Sequence, residues 1–167
     1  MTSRALSPDD LRCRASRIAL VLTDCDGVLT DTGVYYSAEG ELLKRFSIRD
    51  GMGVELLRNA GIATAIVTGE RSGAVARRAE KLGITVYPGA RDKLALLPRI
   101  LEETGRRLEE LAYIGDDVND LAIIEALNPH GLTAAPADAM DVVKSVAHLV
   151  CEQDGGRGAF RGFADRI

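Results

Sequence analysis

Several common features are missing from this 167-residue sequence. No apolar run approaches the length of a membrane span, and residues 1–17 lack the hydrophobic core of a secretory signal. Lysine and arginine are scattered, and 25 acidic against 21 basic side chains give a net charge of −4. Because nucleic-acid-binding domains carry a basic stripe or patch, we expect neither a nucleic-acid nor a membrane partner, and a cytoplasmic location.

Cysteine is scarce. Cys13, Cys25 and Cys151 are odd in number and far apart, which is typical of reduced thiols in a cytosol. No Cys-x-x-Cys pair or Cys/His cluster is present, so a zinc site is not expected. Cys25 lies between two aspartates, whose charges raise the pKa of a thiol. We therefore expect a packed, inert side chain there rather than a nucleophile.

The most informative stretch is residues 18–28. It begins as an apolar run, the pattern of a strand buried on both faces of a parallel sheet, and ends at Asp24, Asp26 and Gly27. Side chains alternate along a strand, so the two carboxylates point the same way. They repel each other, and a divalent cation at the carboxyl end of the strand would stabilise them. An ordinary Asx turn would use the same residues, and this stretch alone leaves both interpretations open.

Three further polar groups lie at or just beyond strand-like segments. The apolar run 62–67 ends at Thr68 and Gly69, and Lys93 opens a helical pattern after a short strand. The run 111–114 leads to a cluster of acidic and amide side chains: Asp116, Asp117, Asn119 and Asp120. Each group has an ordinary alternative role, as a helix cap, a solvated lysine or acids favoured by a helix N-terminus.

Strand patterns alternate with helical patterns along the chain, which predicts right-handed βαβ units and a central parallel sheet. We expect one α/β domain over residues 1–167, with a β-hairpin flap at about 29–46 and a glycine-rich tail at about 154–167. The predicted helices are Ser7–Ala15, Val54–Asn59, Ser72–Leu82, Asp92–Thr104 with a kink or restart at Pro98, Asp120–Leu127 and Ala139–Val146.

The order Asp-x-Asp, Thr, Lys, Gly-Asp-Asp-x-Asn-Asp resembles the four motifs of the haloacid dehalogenase superfamily of phosphotransferases, over about residues 18–167. The resemblance implies a three-layer, Rossmann-like fold and a Mg²⁺ cofactor. It implies that Asp24 attacks phosphorus, that Asp26 protonates the leaving oxygen and later activates water, and that Lys93 balances negative charge. Thr68 and Gly69 would bind phosphoryl oxygens.

The resemblance also implies the metal ligands: Asp24, the backbone carbonyl of Asp26, and Asp116. Asp117, Asn119 and Asp120 would contact these ligands and orient them without binding the metal themselves. Asp120 is favoured for holding Lys93. The intervals before Thr68 and before Lys93 are filled by the hairpin, two helices and a short strand. No cap domain fits, so the hairpin, the tail or a neighbouring subunit must close the site.

A narrower resemblance rests on three segments: 26–31 (Asp-Gly-Val-Leu-Thr-Asp), 49–53 (Arg-Asp-Gly-x-Gly) and 155–161 (Gly-Gly-Arg-Gly-Ala-Phe-Arg). They resemble the capless, tetrameric phosphatases of 3-deoxy-D-manno-octulosonate 8-phosphate (KDO 8-phosphate), which make KDO for lipopolysaccharide. This implies a homotetramer acting on a small sugar acid phosphate. Arg157 or Arg161, from this chain or a neighbour, would pair with the substrate carboxylate.

Glu70 departs from that family, which typically has Arg after the Thr-Gly pair. Glu70 is more similar to the sister group that acts on nine-carbon ulosonate 9-phosphates, where it would accept hydrogen bonds from sugar hydroxyls. Its ordinary alternative is a first-turn helix acid. A non-catalytic, oligomer-forming module of the same fold, a protein phosphatase and a phosphomutase are the remaining alternatives. The intact motif set argues against the first, and the lack of a cap argues against the mutase.

Overall fold

The structure, a computed structural model, describes residues 6–167. Its strands are β1 (Leu20–Thr23), β2 (Thr30–Ser37), β3 (Gly40–Phe46), β4 (Ala63–Thr68), β5 (Thr85–Pro88), β6 (Leu111–Ile114), β7 (Leu132–Ala135) and β8 (Leu149–Val150). Its α-helices are α1 (Pro8–Ala15), α2 (Ile48–Asn59), α3 (Gly73–Leu82), α4 (Lys93–Thr104), α5 (Leu121–Leu127), α6 (Asp141–Val146) and α7 (Ala159–Ala164).

Six parallel strands form the central sheet in the order β5-β4-β1-β6-β7-β8. All four residues of β1 are buried, because helices cover both faces of the sheet. Val21 belongs to the apolar core on one face, whereas Leu20 and Leu22 belong to the core on the other. This alternation builds two separate cores. The predicted three-layer α/β fold with a central parallel sheet is confirmed.

The strand order decides where polar side chains gather. β1 lies between β4 and β6, in register from Leu20 with Ala63 and Leu111. Because all three strands run the same way, their carboxyl ends meet at one edge of the sheet. The segments that follow Thr23, Val67 and Ile114 therefore share that edge.

Helix α2 begins six residues earlier than its predicted start at Val54, and that prediction was wrong. Ser47 caps the helix by accepting a hydrogen bond from the Arg49 amide, 3.1 Å away. Gly51 and Gly53, which precede the predicted start, lie inside the helix. A Cβ added at Gly53 would lie 3.1 Å from the Arg161 Cα, so the glycine allows close packing against α7. The cost of a helical glycine is offset by this tertiary contact.

Three other helices differ slightly from prediction. Helix α4 continues through the exposed Pro98 as one helix, so the restart considered there is not observed. A 3₁₀ turn, Val118–Asp120, precedes α5 and moves its start to Leu121. Helix α6 starts at Asp141 rather than Ala139. Short first turns of this kind are the least predictable part of a helix.

The hairpin of β2 and β3 forms its own two-stranded antiparallel sheet. The glycine-rich tail packs behind it: the Gly156 amide donates to the Val28 carbonyl at 2.8 Å, and a Cβ on Gly155 would lie 1.9 Å from the Gly27 oxygen. Glycine is required where two backbones approach this closely. Residues 6–167 contain no cap domain, as expected. Among them, no helix combines the length and apolarity needed to span a membrane.

Candidate active site

Asp24 directly follows β1 and is 5% exposed. Its backbone amide donates to the Ile114 carbonyl at 2.9 Å, so hydrogen bonding to β6 continues past the strand. The Cys25 amide donates to Asp24 Oδ1 at 2.6 Å and fixes the carboxylate. Burial, with the charges of Asp26 and Asp24, raises the pKa of the Cys25 thiol. Cys25 is fully buried in the apolar core, and a protonated thiol there has no nucleophilic role.

Lys93 is buried between two carboxylates. Its Nζ lies 2.8 Å from Asp24 Oδ2 and 2.6 Å from Asp120 Oδ1, and its side chain has no exposed surface. Burial opposes the charged amine, but Asp24 and Asp120 outweigh it and raise the pKa of Lys93. The hydroxyl of Tyr113, on β6, also donates to Asp120 Oδ1 at 2.5 Å. The amine is therefore held charged beside Asp24.

Asp24, Asp116 and Asp120 form an acidic cluster whose ligand atoms lie within 4.8 Å of one another. Burial, then the charge of Asp120, raises the pKa of Asp24 to about 7, although Lys93 opposes the shift. Burial, then the charge of Asp24, raises the pKa of Asp116 to about 8. Three carboxylates this close disfavour ionisation of one another unless a cation joins them.

The donor set fits a hard divalent cation. Asp116 Oδ1 is buried and has no hydrogen-bond partner among residues 6–167, so it is free to bind an ion. Asp120 differs, because Oδ1 is held by Lys93 and Tyr113 and Oδ2 accepts from the Asp116 amide at 2.9 Å. Gly27, with φ at +90°, makes room: a Cβ there would lie 1.9 Å from Asp116 Oδ2. Free carboxylate oxygens are the ligands that Mg²⁺ prefers.

The Asp26 carboxylate is not part of that cluster. Its Oδ1 accepts hydrogen bonds from Lys44 Nζ at 2.6 Å and from Thr30 Oγ1 at 3.4 Å. The ligand expected from Asp26 is its backbone carbonyl, and this side-chain orientation is compatible with that expectation. The carboxylate itself faces the cleft and the hairpin.

A cleft of about 360 Å³ opens at this edge of the sheet. It brings together most of the side chains that the sequence singled out: Asp24, Asp26, Thr68, Gly69, Glu70, Asp116, Asp117 and Asn119, with Thr32 and Val118. Lys93 and Asp120 lie buried against Asp24. A second cavity of about 680 Å³ shares Gly69, Glu70 and Asn119 and adds Arg71, Gly89 and Arg91. An open, polar site therefore adjoins a basic surface.

The tail arginines do not line this cleft. Arg157 is exposed, and Arg161 Nε pairs with Asp165 Oδ1 at 2.8 Å, just beyond the end of its own helix. Within one chain, therefore, the structure does not bring them to the other predicted site residues. A role for them in substrate binding stays a prediction, in the form in which a neighbouring subunit supplies them.

Comparison with known proteins agrees with this geometry. The family of haloacid dehalogenase-like hydrolases matches residues 76–159. The KDO 8-phosphate phosphatase of Yersinia pestis is 41% identical over 160 residues, which cover 95% of this chain and 84% of the relative. That of Haemophilus influenzae is 39% identical over 155 residues, 92% of this chain and 84% of the relative. The chain belongs to the KDO 8-phosphate phosphatase family of haloacid dehalogenase-like hydrolases.

Solved structures of this family superimpose closely on the chain. The cobalt-bound H. influenzae phosphatase has a TM-score of 0.86 at 38% identity and covers 91% of this chain and 88% of its own. The Moraxella catarrhalis enzyme was solved with magnesium, phosphate and KDO. It has a TM-score of 0.88 at 33% identity, and the match covers 95% of this chain and 90% of that enzyme. Divalent metals are thus found in two relatives of this haloacid dehalogenase-like hydrolase.

Sequence reasoning missed five residues near the site of this family member: Thr32, Lys44, Arg71, Arg91 and Tyr113. Thr32 has φ at +65° and is the one non-glycine in the left-handed region among residues 6–167. A β-branched residue is strained there, and such strain is common at functional sites. No local sequence signal distinguishes Lys44, which follows two leucines on a strand. From sequence, Tyr113 is indistinguishable from an ordinary aromatic residue of the apolar core.

Proposed function

We propose that the protein is a cytoplasmic, Mg²⁺-dependent phosphomonoesterase that hydrolyses KDO 8-phosphate to KDO and phosphate, as a step in making KDO for lipopolysaccharide. One observation carries the proposal: buried Asp24 is held against Lys93 while the unpartnered Asp116 Oδ1 lies beside it. That arrangement supplies a nucleophile, a fixed positive charge and a free ligand for a divalent ion. The relatives named above supply the substrate.

In the first step, an Asp24 oxygen bonds to phosphorus as the bond from phosphorus to the bridging oxygen breaks. Asp26 donates its proton to that bridging oxygen and is left as a carboxylate. Lys93 offsets the negative charge on Asp24 and the phosphoryl group, and Thr68 and Gly69 bind phosphoryl oxygens. The aspartyl phosphate that results belongs to the protein, and the sugar acid leaves as an alcohol.

In the second step, Asp26 takes a proton from water, which attacks phosphorus and releases phosphate and the free Asp24 carboxylate. Asp24, Asp116 and the backbone carbonyl of Asp26 would hold Mg²⁺, which would neutralise negative charge on the phosphoryl oxygens. The amides of Asp116 and Asp117 both donate to Asp120 Oδ2, so Asp120 keeps this loop in place while it also holds Lys93. Asp117 and Asn119 line the cleft mouth beside them.

We also propose that the working unit is a homotetramer, because the site is open and no cap domain covers it. The hairpin exposes an apolar surface formed by Val34, Tyr35, Tyr36, Leu42 and Leu43. Tyr36 is 70% exposed and Leu42 is 65% exposed, which is costly for side chains of this size. A neighbouring subunit would bury this surface and would bring its own Arg157 or Arg161 to the substrate carboxylate.

The nine-carbon ulosonate 9-phosphates are the second candidate substrates, because Glu70 is exposed where the cleft meets the basic cavity. Its carboxylate can accept hydrogen bonds from sugar hydroxyls but would repel a substrate carboxylate. Arg71 and Arg91 in the same cavity offer the opposite charge. A non-catalytic oligomerisation module is disfavoured, because the cleft gathers an intact set of reactive side chains.

Phosphate release from a panel of sugar phosphates tests the proposal. The panel holds KDO 8-phosphate, a nine-carbon ulosonate 9-phosphate and glucose 6-phosphate, each assayed with Mg²⁺ and with EDTA. We expect the highest kcat/KM on KDO 8-phosphate, and loss of activity in EDTA that added Mg²⁺ restores. A higher value on the nine-carbon compound would transfer the assignment to the sister group. Full activity in EDTA, or none on any ester, would contradict the proposed chemistry.

A further inference from the structure

The hairpin carries one deeply buried charge, Lys44 on β3. Only 1% of its side chain is exposed, whereas its neighbours Leu43 and Arg45 are exposed. A buried ammonium is destabilising unless a partner compensates its lost hydration. Lys44 Nζ lies 2.6 Å from Asp26 Oδ1 and 3.6 Å from Glu41 Oε2. The lysine is therefore compensated chiefly by the carboxylate that the reaction uses as its acid and base.

The two oxygens of Asp26 have different surroundings. Oδ1 accepts from Lys44 and, more distantly, from the Thr30 hydroxyl. Oδ2 accepts no hydrogen bond from any of residues 6–167, and Asp26 lines the cleft. One oxygen is thus anchored on the hairpin side and the other is left free. A group that transfers a proton within one bond-breaking step needs such a fixed orientation, because small misplacements lower the rate steeply.

The lysine also connects the acid to the rest of the protein. Glu41, its second partner, accepts a hydrogen bond from the Ser72 hydroxyl at the N-terminus of α3. A continuous chain of contacts therefore runs from α3 through the hairpin to Asp26. Without the Lys44 contact, Asp26 would keep only its 3.4 Å hydrogen bond from Thr30.

We propose that Lys44 is a positioning residue for this reaction, which holds Asp26 Oδ1 so that Oδ2 delivers the proton to the leaving oxygen. The inference rests on the proposed function. As the Asp24–phosphorus bond forms and the bond to the bridging oxygen breaks, the proton moves from Asp26 Oδ2 to that oxygen. Lys44 keeps its own proton throughout, and its charge stabilises the carboxylate that the transfer leaves behind. Proton delivery then depends on a seated hairpin.

Two esters with different leaving groups test this role. A sugar alkoxide is a poor leaving group and needs the proton, whereas 4-nitrophenolate leaves readily without one. The parameter is kcat/KM, because it reports the steps up to formation of the aspartyl phosphate. For Lys44→Met we expect a loss of about a hundredfold on KDO 8-phosphate, the lower range for a general acid, and less than about fivefold on 4-nitrophenyl phosphate. Asp26→Asn should show the same selective loss.

Arg45→Met is the matched control. Arg45 is the next residue on β3, pairs with Asp31 at 3.3 Å and donates to the Gly156 carbonyl at 3.0 Å, so its loss removes two hairpin contacts without touching Asp26. It should leave both kcat/KM values within about twofold. Equal losses on the two esters in Lys44→Met would show a merely structural role and overturn the proposal, as would no loss on KDO 8-phosphate.

The folded state and the proposed function are checked separately. Circular dichroism and sedimentation should show that Lys44→Met keeps the wild-type fold and assembly. If it does not, Lys44→Gln, which retains an amide donor, takes its place and should still lose about tenfold selectively on the sugar ester. Wild-type activity on the nine-carbon ester instead of KDO 8-phosphate would only replace the sugar ester in the test. Hydrolysis of no ester by the wild type would overturn the proposed function and Lys44's role with it.

Discussion

At the scale of single residues, the proposed reaction depends on the carboxylate of Asp24, which is held by Lys93 and the Cys25 amide. Asp24→Asn keeps the shape of the side chain but removes the negative charge that attacks phosphorus. We expect kcat to fall at least about a thousandfold, a rise of about 4 kcal/mol in the barrier. Steady-state phosphate release measures this loss. Asp141→Asn is the control, because Asp141 is fully exposed on α6 and should have no effect. Near wild-type turnover by Asp24→Asn would exclude the covalent mechanism.

We expect Glu70 to influence the choice between the two substrate classes. Glu70→Arg should move the ratio of kcat/KM for KDO 8-phosphate over the nine-carbon ester about tenfold or more, toward KDO 8-phosphate. This corresponds to roughly 1.4 kcal/mol of differential transition-state binding. The control is Glu80→Arg on α3, which changes the net charge equally but lies outside the cleft and its adjoining cavity. An unchanged ratio would leave Glu70 as a helix-flanking acid with no part in recognition.

At the scale of elements, buried Asp50 joins the segment Arg-Asp-Gly-x-Gly to the glycine-rich tail. Asp50 lies on α2, and its carboxylate accepts from the Gly158 amide at 3.2 Å and the Arg161 amide at 3.0 Å. These amides belong to the first turn of α7, which has no partner of its own for them. The side chain therefore fastens the tail helix to the body of the domain.

Asp50→Ala should lower the free energy of unfolding by about 2–3 kcal/mol, because it leaves two amides without partners in a largely buried place. Thermal or urea unfolding, followed by circular dichroism, measures the loss. Asp50→Asn retains one acceptor oxygen and should lose less. A change below about 0.5 kcal/mol in Asp50→Ala would mean that water replaces the carboxylate and that α7 needs no such anchor.

The helices and strands were mostly predictable from sequence because periodicity and capping residues agree. Ser72 caps α3 and Asp92 caps α4, each accepting from the amide three residues on, and apolar runs became buried strands. The start of α2 was not predictable, since glycine propensity opposes helix there and the stabilising contact comes from α7, more than a hundred residues away. Tertiary packing outweighed local preference.

The residues of the candidate site also include some that were predictable from sequence and some that were not. Residues at strand ends were identifiable because parallel topology alone brings them to one edge, and the cleft gathers them. Lys44 and Tyr113 were not, because their roles depend on side chains that reach Asp26 and Asp120 across the fold. The sequence of β3 does not predict that the side chain of Lys44 is buried. Long-range contacts of this kind leave no local pattern.

At the scale of the whole molecule, we expect a homotetramer held by the hairpins. A stable interface of this kind buries roughly 1,200–2,000 Å² or more and is rich in apolar residues. Sedimentation equilibrium should give four chains of 17.9 kDa each. Tyr36→Glu with Leu42→Glu should dissociate the assembly, whereas Leu94→Glu, an exposed leucine on α4, should not. A fully active monomer at assay concentration would contradict the proposal.

The acidic cluster links the stability of the whole fold to pH and to metal. Burial and mutual charge raise the pKa of Asp24 to about 7 and of Asp116 to about 8, above the ordinary value of 3.8. The folded protein therefore holds these protons longer than the unfolded chain. The contribution of these two protonated carboxyl groups to the free energy of unfolding is complete below about pH 4 and is lost as pH rises to about 8. In EDTA, the melting temperature should fall over that range.

We expect bound Mg²⁺ to reverse this trend, because it would bind the ionised cluster, which only the folded state provides. At a hundredfold excess over its dissociation constant, Mg²⁺ should add about 2.7 kcal/mol to the free energy of unfolding at pH 8 and much less at pH 5. Asp116→Asn separates this effect from other titrating groups: in EDTA it should melt above the wild type at pH 8, with a smaller difference at pH 5. It should also respond weakly to Mg²⁺. A wild-type response to Mg²⁺ that is equal at both pH values would show that the ion binds outside the cluster, and the metal site would have to be sought elsewhere in the chain.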